Sequence, residues 1–484
     1  MTSRSASALH SSFSDYQAGR RGHWDLVARQ LDSWTGWGSS YHRRLIQVYQ
    51  FLVAPGQRVL EIGCGRGDLL AALRPGYGVG VDFSPEMIRR AARRHPNLTF
   101  FQADAHNLPL TGEFDVILLS DLVNDLWDVQ CVFEEVARLS GPQTRILLNA
   151  YSRLWELPLE VTRKLRLSKP ALDENWLTVD DVGNLLRLAG LETIRSWSEV
   201  LFPLPVPGLA PFFNRFLVRF WPFNELALTN LVVARRCPRP GEGRPAPRVS
   251  VVVPARNEAG NIPQILAGVP EMGGGTELIF VEGHSRDETY EAIERGMRDH
   301  PQRHCKLLRQ TGVGKGDAVR LGFANASGDI LMILDADLTV APETLPRFYA
   351  ALVERRGEFI NGVRLVYPME QQAMRFLNLI GNKLFSLAFS WLLGQPIKDT
   401  LCGTKVLWRS DYERIAANRA YFGDFDPFGD FDLLFGAAKQ NLKIVDLPIR
   451  YRERTYGTTN IQRWKHGWLL LRMTIVAFLR LKLA

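Results

Sequence analysis

Cysteine is scarce and scattered. The five cysteines, Cys64, Cys131, Cys237, Cys305 and Cys402, form no Cys-x-x-Cys or His-x-Cys pair. That spacing argues against a disulfide framework and a structural zinc site, and it reads as a chain of the reducing cytosol. Long apolar runs are missing too: no segment reaches the ~18–20 charge-free apolar residues of a membrane span. Met374–Gly394 carries Arg375 and Lys383, Trp464–Ala484 carries Lys465, Arg472, Arg480 and Lys482, and Leu201–Phe223 is broken by prolines. These three read as core or interfacial elements. The first twenty residues are Ser-rich and polar without the apolar centre of a signal peptide, so residues 1–20 are expected to form a frayed, disordered tail. Zinc-finger, recognition-helix and RNA-binding aromatic signatures are absent, which weighs against nucleic acid as a partner. The net charge of +8 then points to an anionic membrane surface or to phosphate-bearing substrates.

What the sequence does contain is two helpings of one pattern. Cys237–Pro247 (CPRPGEGRPAP) is dense in proline and glycine, as a semi-extended linker is. On each side, short β-branched runs alternate with helical patterns: RVLEIG, GVGVD, LTFFQAD and FDVILLS before it, VSVVVP, TELIFVE and DILMILDAD after it. The alternation predicts two doubly wound α/β domains, over residues 21–236 and 248–461; an amphipathic helix with one apolar stripe is expected over 462–484.

In the first half, Val59–Leu69 (VLEIGCGRGDL) runs from an apolar strand through Gly63, Gly65 and Gly67 into a helix. Glycines there let the backbone pass close to a ligand and adopt positive φ. The next strand ends in Asp82, a third in Asp104, and a fourth leads to Asp121. A dinucleotide site wants Gly-x-Gly-x-x-Gly, and this chain has Gly-x-Gly-x-Gly preceded by Glu61. The order resembles the class I S-adenosylmethionine-dependent methyltransferases over about Arg58–Ala150. The resemblance implies a Rossmann-like fold with S-adenosylmethionine as cofactor. It places Glu61 to Gly67 along the methionine, Asp82 on the ribose, Asp104 at the adenine and Asp121 beside the methyl acceptor. Methyl transfer is an in-line displacement that mainly needs positioning. A base is needed only for a hydroxyl or protonated amine, and His106, Asp121, Asn124 and Asp125 are the nearby candidates. Whether this domain transfers methyl groups or only senses the cofactor or docks partners stays open.

In the second half, Asp335-Ala336-Asp337 follows the apolar run Ile330–Leu334. Residues i and i+2 of a strand point the same way, so both carboxylates can reach one Mg²⁺ or Mn²⁺. Pro254-Ala255-Arg256-Asn257-Glu258 follows the first strand, Glu282 the second, and Gly314-Lys315-Gly316 opens a helix. GVGKGD lacks the spacer and hydroxyl residue of a P-loop, which excludes an ATPase. This order resembles the inverting family 2 glycosyltransferases of the GT-A fold over about Arg248–Asn460. It implies Pro254, Glu258 and Glu282 around the nucleoside of a GDP- or UDP-sugar, Lys315 at its base or phosphate, and Asp335 and Asp337 on the metal. Where that family has Asp-Asp-x-Ser, this chain has Glu282-Gly283-His284-Ser285, so the nucleotide stays open.

Tyr451–Ile461 (YRERTYGTTNI) resembles the Arg-x-Arg-x-x-Gly-x-Ser-Lys stretch of polyprenyl-phosphate sugar transferases, with Asn460 in place of the Lys. The acceptor implied is a polyprenyl phosphate, gripped by Arg364, Arg375, Arg452 and Arg454. A lipid phosphate is already a nucleophile at neutral pH. A soluble saccharide, the alternative, would need Asp430 or Asp399 as general base. Phe376, Ile380, Leu384, Leu387 and Trp391 recur at helical spacing, and Lys465, Arg472 and Arg480 make a basic strip beside Trp468 and Ile475. Basic, Trp-bearing helices of this kind lie in membrane interfaces, so peripheral attachment at a cytosolic membrane face is expected.

Overall fold

The computed structural model describes residues 2–30, 38–164, 174–237, 246–364, 376–421, 429–452 and 463–483, with Leu172, Val366, Arg454 and Tyr456 in addition. Arg375 and most of the 237–247 stretch lie outside them. The chain divides at Cys237 into two units.

In the first unit the β-branched runs become β1 (Arg58–Ile62), β2 (Tyr77–Asp82), β3 (Thr99–Gln102), β4 (Phe114–Ser120), β5 (Ser140–Tyr151), β6 (Leu191–Glu199) and β7 (Thr229–Arg236), in the order β3-β2-β1-β4-β5-β7-β6. The first five pair in parallel, and β7 runs antiparallel between β5 and β6. Side chains alternate across a strand, and the core follows. Val59, Val116 and Leu118 pack with Tyr41, Leu45 and Tyr49 of helix α2 (Gly38–Leu52). Leu60, Ile62, Ile117 and Leu119 face the other side. The chain moves outward from β1 through β2 to β3, then returns to β4 on β1's opposite edge. A crevice opens at such a switch point, beyond the carboxyl ends of the strands.

Residues 2–20, within the stretch expected to fray, belong to helix α1, which spans Thr2–Gln30. Its later part is held by Val27 and Ala28 against Met87 and by Asp25, which accepts hydrogen bonds from the Ser84 hydroxyl and the Glu86 amide. The low hydrophobicity that suggested a tail reflects a helix gripped through polar contacts.

The second unit holds β8 (Val249–Ala255), β9 (Thr276–Glu282), β10 (His304–Arg309), β11 (Ile330–Ile333), β12 (Phe359–Val363), β13 (Lys405–Trp408) and β14 (Ile444–Pro448), in the order β10-β9-β8-β11-β13-β12-β14. β13 is antiparallel to both β11 and β12. Its switch point lies between β8 and β11. β8, β9 and β11 are buried almost throughout, as parallel strands covered on both faces are.

Near the end, helix Arg463–Ala477 buries Leu470, Met473 and Ala477 but exposes Trp468, Leu471 and Ile475 together with Arg472. Apolar groups therefore occupy both faces, not the one apolar stripe expected. Helix Phe376–Leu393 likewise exposes Leu384, Leu387 and Trp391, while the side chains of Phe376 and Ile380 lie outside the described residues. In the first unit the segment between β6 and β7, part of the proline-broken apolar run, leaves Phe212 half exposed and Trp221 80% exposed. No helix among the described residues is long and apolar enough to cross a membrane.

Candidate functional sites

At the first switch point, Gly63, Gly65 and Gly67 all take positive φ. A Cβ on Gly63 would sit 2.9 Å from Leu122 and one on Gly67 2.6 Å from the Phe100 ring, so close packing as well as conformation demands glycine. A pocket open to solvent lies above this turn and is lined in part by Gly63, Asp82 and Asp104. The Asp82 carboxylate accepts the amides of Gly65 and Ser84, both at 2.9 Å. Burial, partly offset by those amides, pushes it up to about 6. Asp104 takes the His106 amide at 2.9 Å and ring nitrogen at 2.6 Å. Burial would raise it, but the His106 bonds bring it below the usual carboxylate range. Glu61 does not line the pocket. It is buried beneath, accepts the Leu70 amide at 3.1 Å and ties β1 to the following helix (Asp68–Ala72). Burial pushes it up to about 8. Gly65 and Gly67 shape the turn and are likewise outside the pocket lining.

Three residues of α1 that sequence reasoning missed, Tyr16, Gln17 and Arg20, also line the pocket. A second missed group surrounds Asp121, at the carboxyl end of β4. One Asp121 oxygen accepts Tyr41 Oη at 2.6 Å and the Asn149 amide at 2.5 Å. Asn149 in turn takes the Tyr49 hydroxyl at 2.8 Å. The other oxygen faces His42 Nδ1 at 4.0 Å, and the side chain keeps 20% exposure. Burial raises the Asp121 pKa despite these partners. Its φ is +53°, a strained conformation for a non-glycine residue that a surrounding network must enforce. Of the other base candidates, Asn124 is buried and bonded to the Tyr151 amide and Asn175 carbonyl, and His106 is committed to Asp104.

At the second switch point carboxylates meet cations. Lys315 opens helix Lys315–Ala324, and its Nζ lies 2.5 Å from Asp335. Burial alone would lower the Lys315 pKa, but Asp335 and Asp430 hold it above the ordinary range. Arg454 bridges Asp337 at 2.7 Å and Glu258 at 3.2 Å. Burial, moderated by Arg454, pushes Glu258 up to about 7. A Cβ on Gly403 would overlap both Asp335 and Lys315. Pro254 sits within β8. Its following loop is clasped to the β9 loop: Glu282 accepts the Ser285 amide at 2.6 Å, the Ser285 hydroxyl accepts the Asn257 amide at 3.0 Å, and Asn257 accepts the Arg286 amide at 2.7 Å. Asn257, His284 and Leu338 all carry positive φ. With Asp121, half of the eight non-glycine residues so strained among the described residues lie past the carboxyl ends of strands β4, β8, β9 and β11.

Two acids expected to act alike are treated differently. Asp399 is fully buried in a bidentate pair with Arg364, at 2.7 and 2.8 Å. Burial opposes its charge, yet Arg364 keeps its pKa below the usual range. A carboxylate so occupied is not placed to take a proton. Asp430 is buried with Oδ1 lacking a hydrogen-bond partner. Burial raises its pKa against the pull of Lys315. Arg452 is exposed and threads past the metal-motif loop, its amide donating to the Thr339 carbonyl at 3.0 Å. Among the described residues no group of three or more His, Cys, Asp or Glu side chains converges as metal ligands. Asp335 and Asp337 lie past the end of β11, in the turn that follows it, so the strand alternation expected to aim both carboxylates at one ion does not apply to them.

Residues 54–190 match the family model described as a methyltransferase domain, and residues 250–415 match glycosyl transferase family 2. Undecaprenyl-phosphate 4-deoxy-4-formamido-L-arabinose transferase of Salmonella paratyphi A is 26% identical over 165 residues, 33% of this chain and 49% of that protein. Its Pseudomonas aeruginosa counterpart is 28% identical over 217 residues, 44% of this chain and 60% of that one. The chain thus spans about half the length of the curated relatives it matches. Among solved structures, glucosyl-3-phosphoglycerate synthase of Mycobacterium tuberculosis matches with TM-score 0.36 and 18% identity, covering 49% of this chain and 81% of its own. A putative methyltransferase from Haloferax volcanii, solved with its activator, matches with TM-score 0.35 and 21% identity, covering 44% and 98%. The chain carries, in order, a methyltransferase domain and a family 2 glycosyl transferase domain.

Proposed function

We propose that the chain is a bifunctional transferase. Its second unit moves a sugar, with inversion, from a GDP- or UDP-sugar to a polyprenyl phosphate. Its first moves a methyl group from S-adenosylmethionine to an acceptor of the same glycan or lipid. The observation that carries the sugar-transfer reading is the charge arrangement around Asp335 and Asp337. Each is already paired with a side-chain cation, Lys315 or Arg454. A metal–diphosphate complex brings both kinds of charge, so each protein group can exchange one partner for another instead of being desolvated anew. The ion, when bound, would neutralise the leaving diphosphate. Lys315 and Arg454 are then placed for phosphate oxygens. The named relatives act on undecaprenyl phosphate, and the commitment of Asp399 to Arg364 suits an acceptor that needs no deprotonation.

For the methyl acceptor, Asp121 supports a hydroxyl. One oxygen is fixed by Tyr41 and Asn149, and the other is turned toward the side of partly exposed His42, as a positioned base requires. Peripheral membrane contact is part of the proposal. In the second unit Leu384, Leu387, Trp468, Leu471, Ile475 and Leu479 are exposed beside Arg472 and Arg480, a mixture suited to an anionic interface.

The test is transfer of label from radiolabelled GDP- and UDP-sugars into organic-extractable undecaprenyl phosphate, with Mn²⁺ or Mg²⁺, comparing wild type with Asp430→Asn. Lipid label that falls less than about tenfold in the variant supports the phosphate acceptor. No lipid label with any donor, with labelled soluble glycans instead, and a loss of about 10²–10⁴ in Asp430→Asn, would favour the saccharide acceptor.

A further inference from the structure

Helix α1 makes two sets of contacts that do different work. Its later turns anchor it: Val27 and Ala28 pack on Met87, Asp25 holds Ser84, and Trp24 Nε1 donates to Asp125 at 2.8 Å. Its earlier turns reach the cofactor pocket. Gln17 Nε2 donates to Asp104, Tyr16 donates to the Asp125 backbone carbonyl, and Arg20 pairs with Asp125 and lies 4.7 Å from the Tyr16 ring. Arg20 is 6% exposed, and arginine is seldom buried without reason. Around them, Phe13 meets the His106 ring edge-on at 5.4 Å and Tyr16 meets Trp127 at 5.0 Å. Polar and aromatic groups are thus gathered at the Asp104 end of a pocket, about one to three turns before the residues that bury the helix against Met87.

We infer that Tyr16, Gln17 and Arg20 complete the nucleoside end of the S-adenosylmethionine site. α1 is its outer wall and determines affinity for a purine nucleoside. The inference rests on the cofactor reading above. A flat heteroaromatic ring with donors and acceptors on its edge matches this lining. The Tyr16 ring offers a face and an edge for packing, and the Gln17 amide and Asp104 carboxylate offer directional hydrogen bonds. Gln17 also pins the helix to the loop after β3, so the wall stays closed over the ring.

The experiment is calorimetric titration of the full chain with S-adenosylhomocysteine and, separately, adenosine, for wild type, Tyr16→Ala and Gln17→Glu. The glutamate sets a like charge against Asp104 and leaves the anchoring turns intact, so it carries the test if Tyr16→Ala fails to fold. Both variants are expected to weaken both ligands by about tenfold or more, by a similar factor, because both side chains serve the nucleoside that the two ligands share. In wild type, tryptic cleavage after Arg20 and Arg21 is expected to slow when S-adenosylhomocysteine is added. Unchanged or tighter binding in the variants would overturn the inference, since α1 would then be a bystander or an obstruction. A loss confined to S-adenosylhomocysteine, with adenosine unaffected, would overturn it as well. Wild type that binds neither ligand would remove the cofactor reading itself, and this inference with it.

Discussion

The two units share a sheet path and differ in how they hold their acids. Each runs outward through three parallel strands and returns on the far side of the first. Each opens its site at that switch point and carries an antiparallel strand further along. In the first, Asp82 leans on two backbone amides, Glu61 on one and Asp121 on Tyr41 and Asn149, while Asp125 pairs with Arg20. In the second, cations are the commoner partners: Asp335 has Lys315, Asp337 and Glu258 have Arg454, and Asp399 has Arg364, while Glu282 takes the Ser285 amide. Neutral donors orient a carboxylate without supplying a counter-charge. Cation-matched carboxylates suit a ligand that itself carries both signs, as the proposed metal–diphosphate complex does.

The largest expected effect that would sharpen this contrast is in the second unit. Breaking a buried pair by removing one partner costs about 3–5 kcal/mol, because the other charge is left uncompensated. Asp399→Asn should therefore destabilise the second unit by roughly that amount in denaturant unfolding. Loss of activity with unchanged stability would instead return Asp399 to the chemistry. In the first unit, Asp121→Asn should slow methyl transfer to a hydroxyl acceptor by about 10²-fold while leaving the calorimetric affinity for S-adenosylmethionine unchanged. A matching loss of cofactor affinity would show Asp121 to be a binding group.

The smallest effect is one of pH. Glu61 has a folded pKa of about 8, above its unfolded value. Between about pH 4.5 and 8 the folded state therefore holds a proton that the unfolded state has released, and stability falls as pH rises through that window. Asp82, at about 6, adds to the fall between about pH 4 and 6. Glu61→Gln should flatten the melting temperature of the first unit against pH, with its gain over wild type greatest at and above pH 8. A variant with an unaltered slope would mean that Glu61 is ionised within the fold.

Much of the fold was legible because parallel strands buried on both faces read as β-branched runs, and because glycine turns sit at fixed places after them. The terminal acids Asp82, Asp104, Asp335 and Asp337 were legible for the same reason: strand ends can be counted. The antiparallel insertions β7 and β13 have no such order in the chain. Partnership was hidden as well. Asp399 and Arg364 look like two site residues in sequence and are one buried ion pair in space. Tyr41 and Asn149 meet Asp121 from 80 and 28 residues away, and α1 reaches the pocket from 87 residues before Asp104. Polar helix residues without a hydrophobic stripe give no signal of burial, and this is why α1 resembled a tail.

The most direct test of the charge-matching account is binding of Mn²⁺ to the full chain, followed by electron paramagnetic resonance, with UDP or GDP present and absent. The account predicts that nucleoside diphosphate and Mn²⁺ bind together, each strengthening the other, and that Asp337→Ala abolishes this coupling. Mn²⁺ binding that is indifferent to nucleotide, or that persists unchanged in Asp337→Ala, would contradict it.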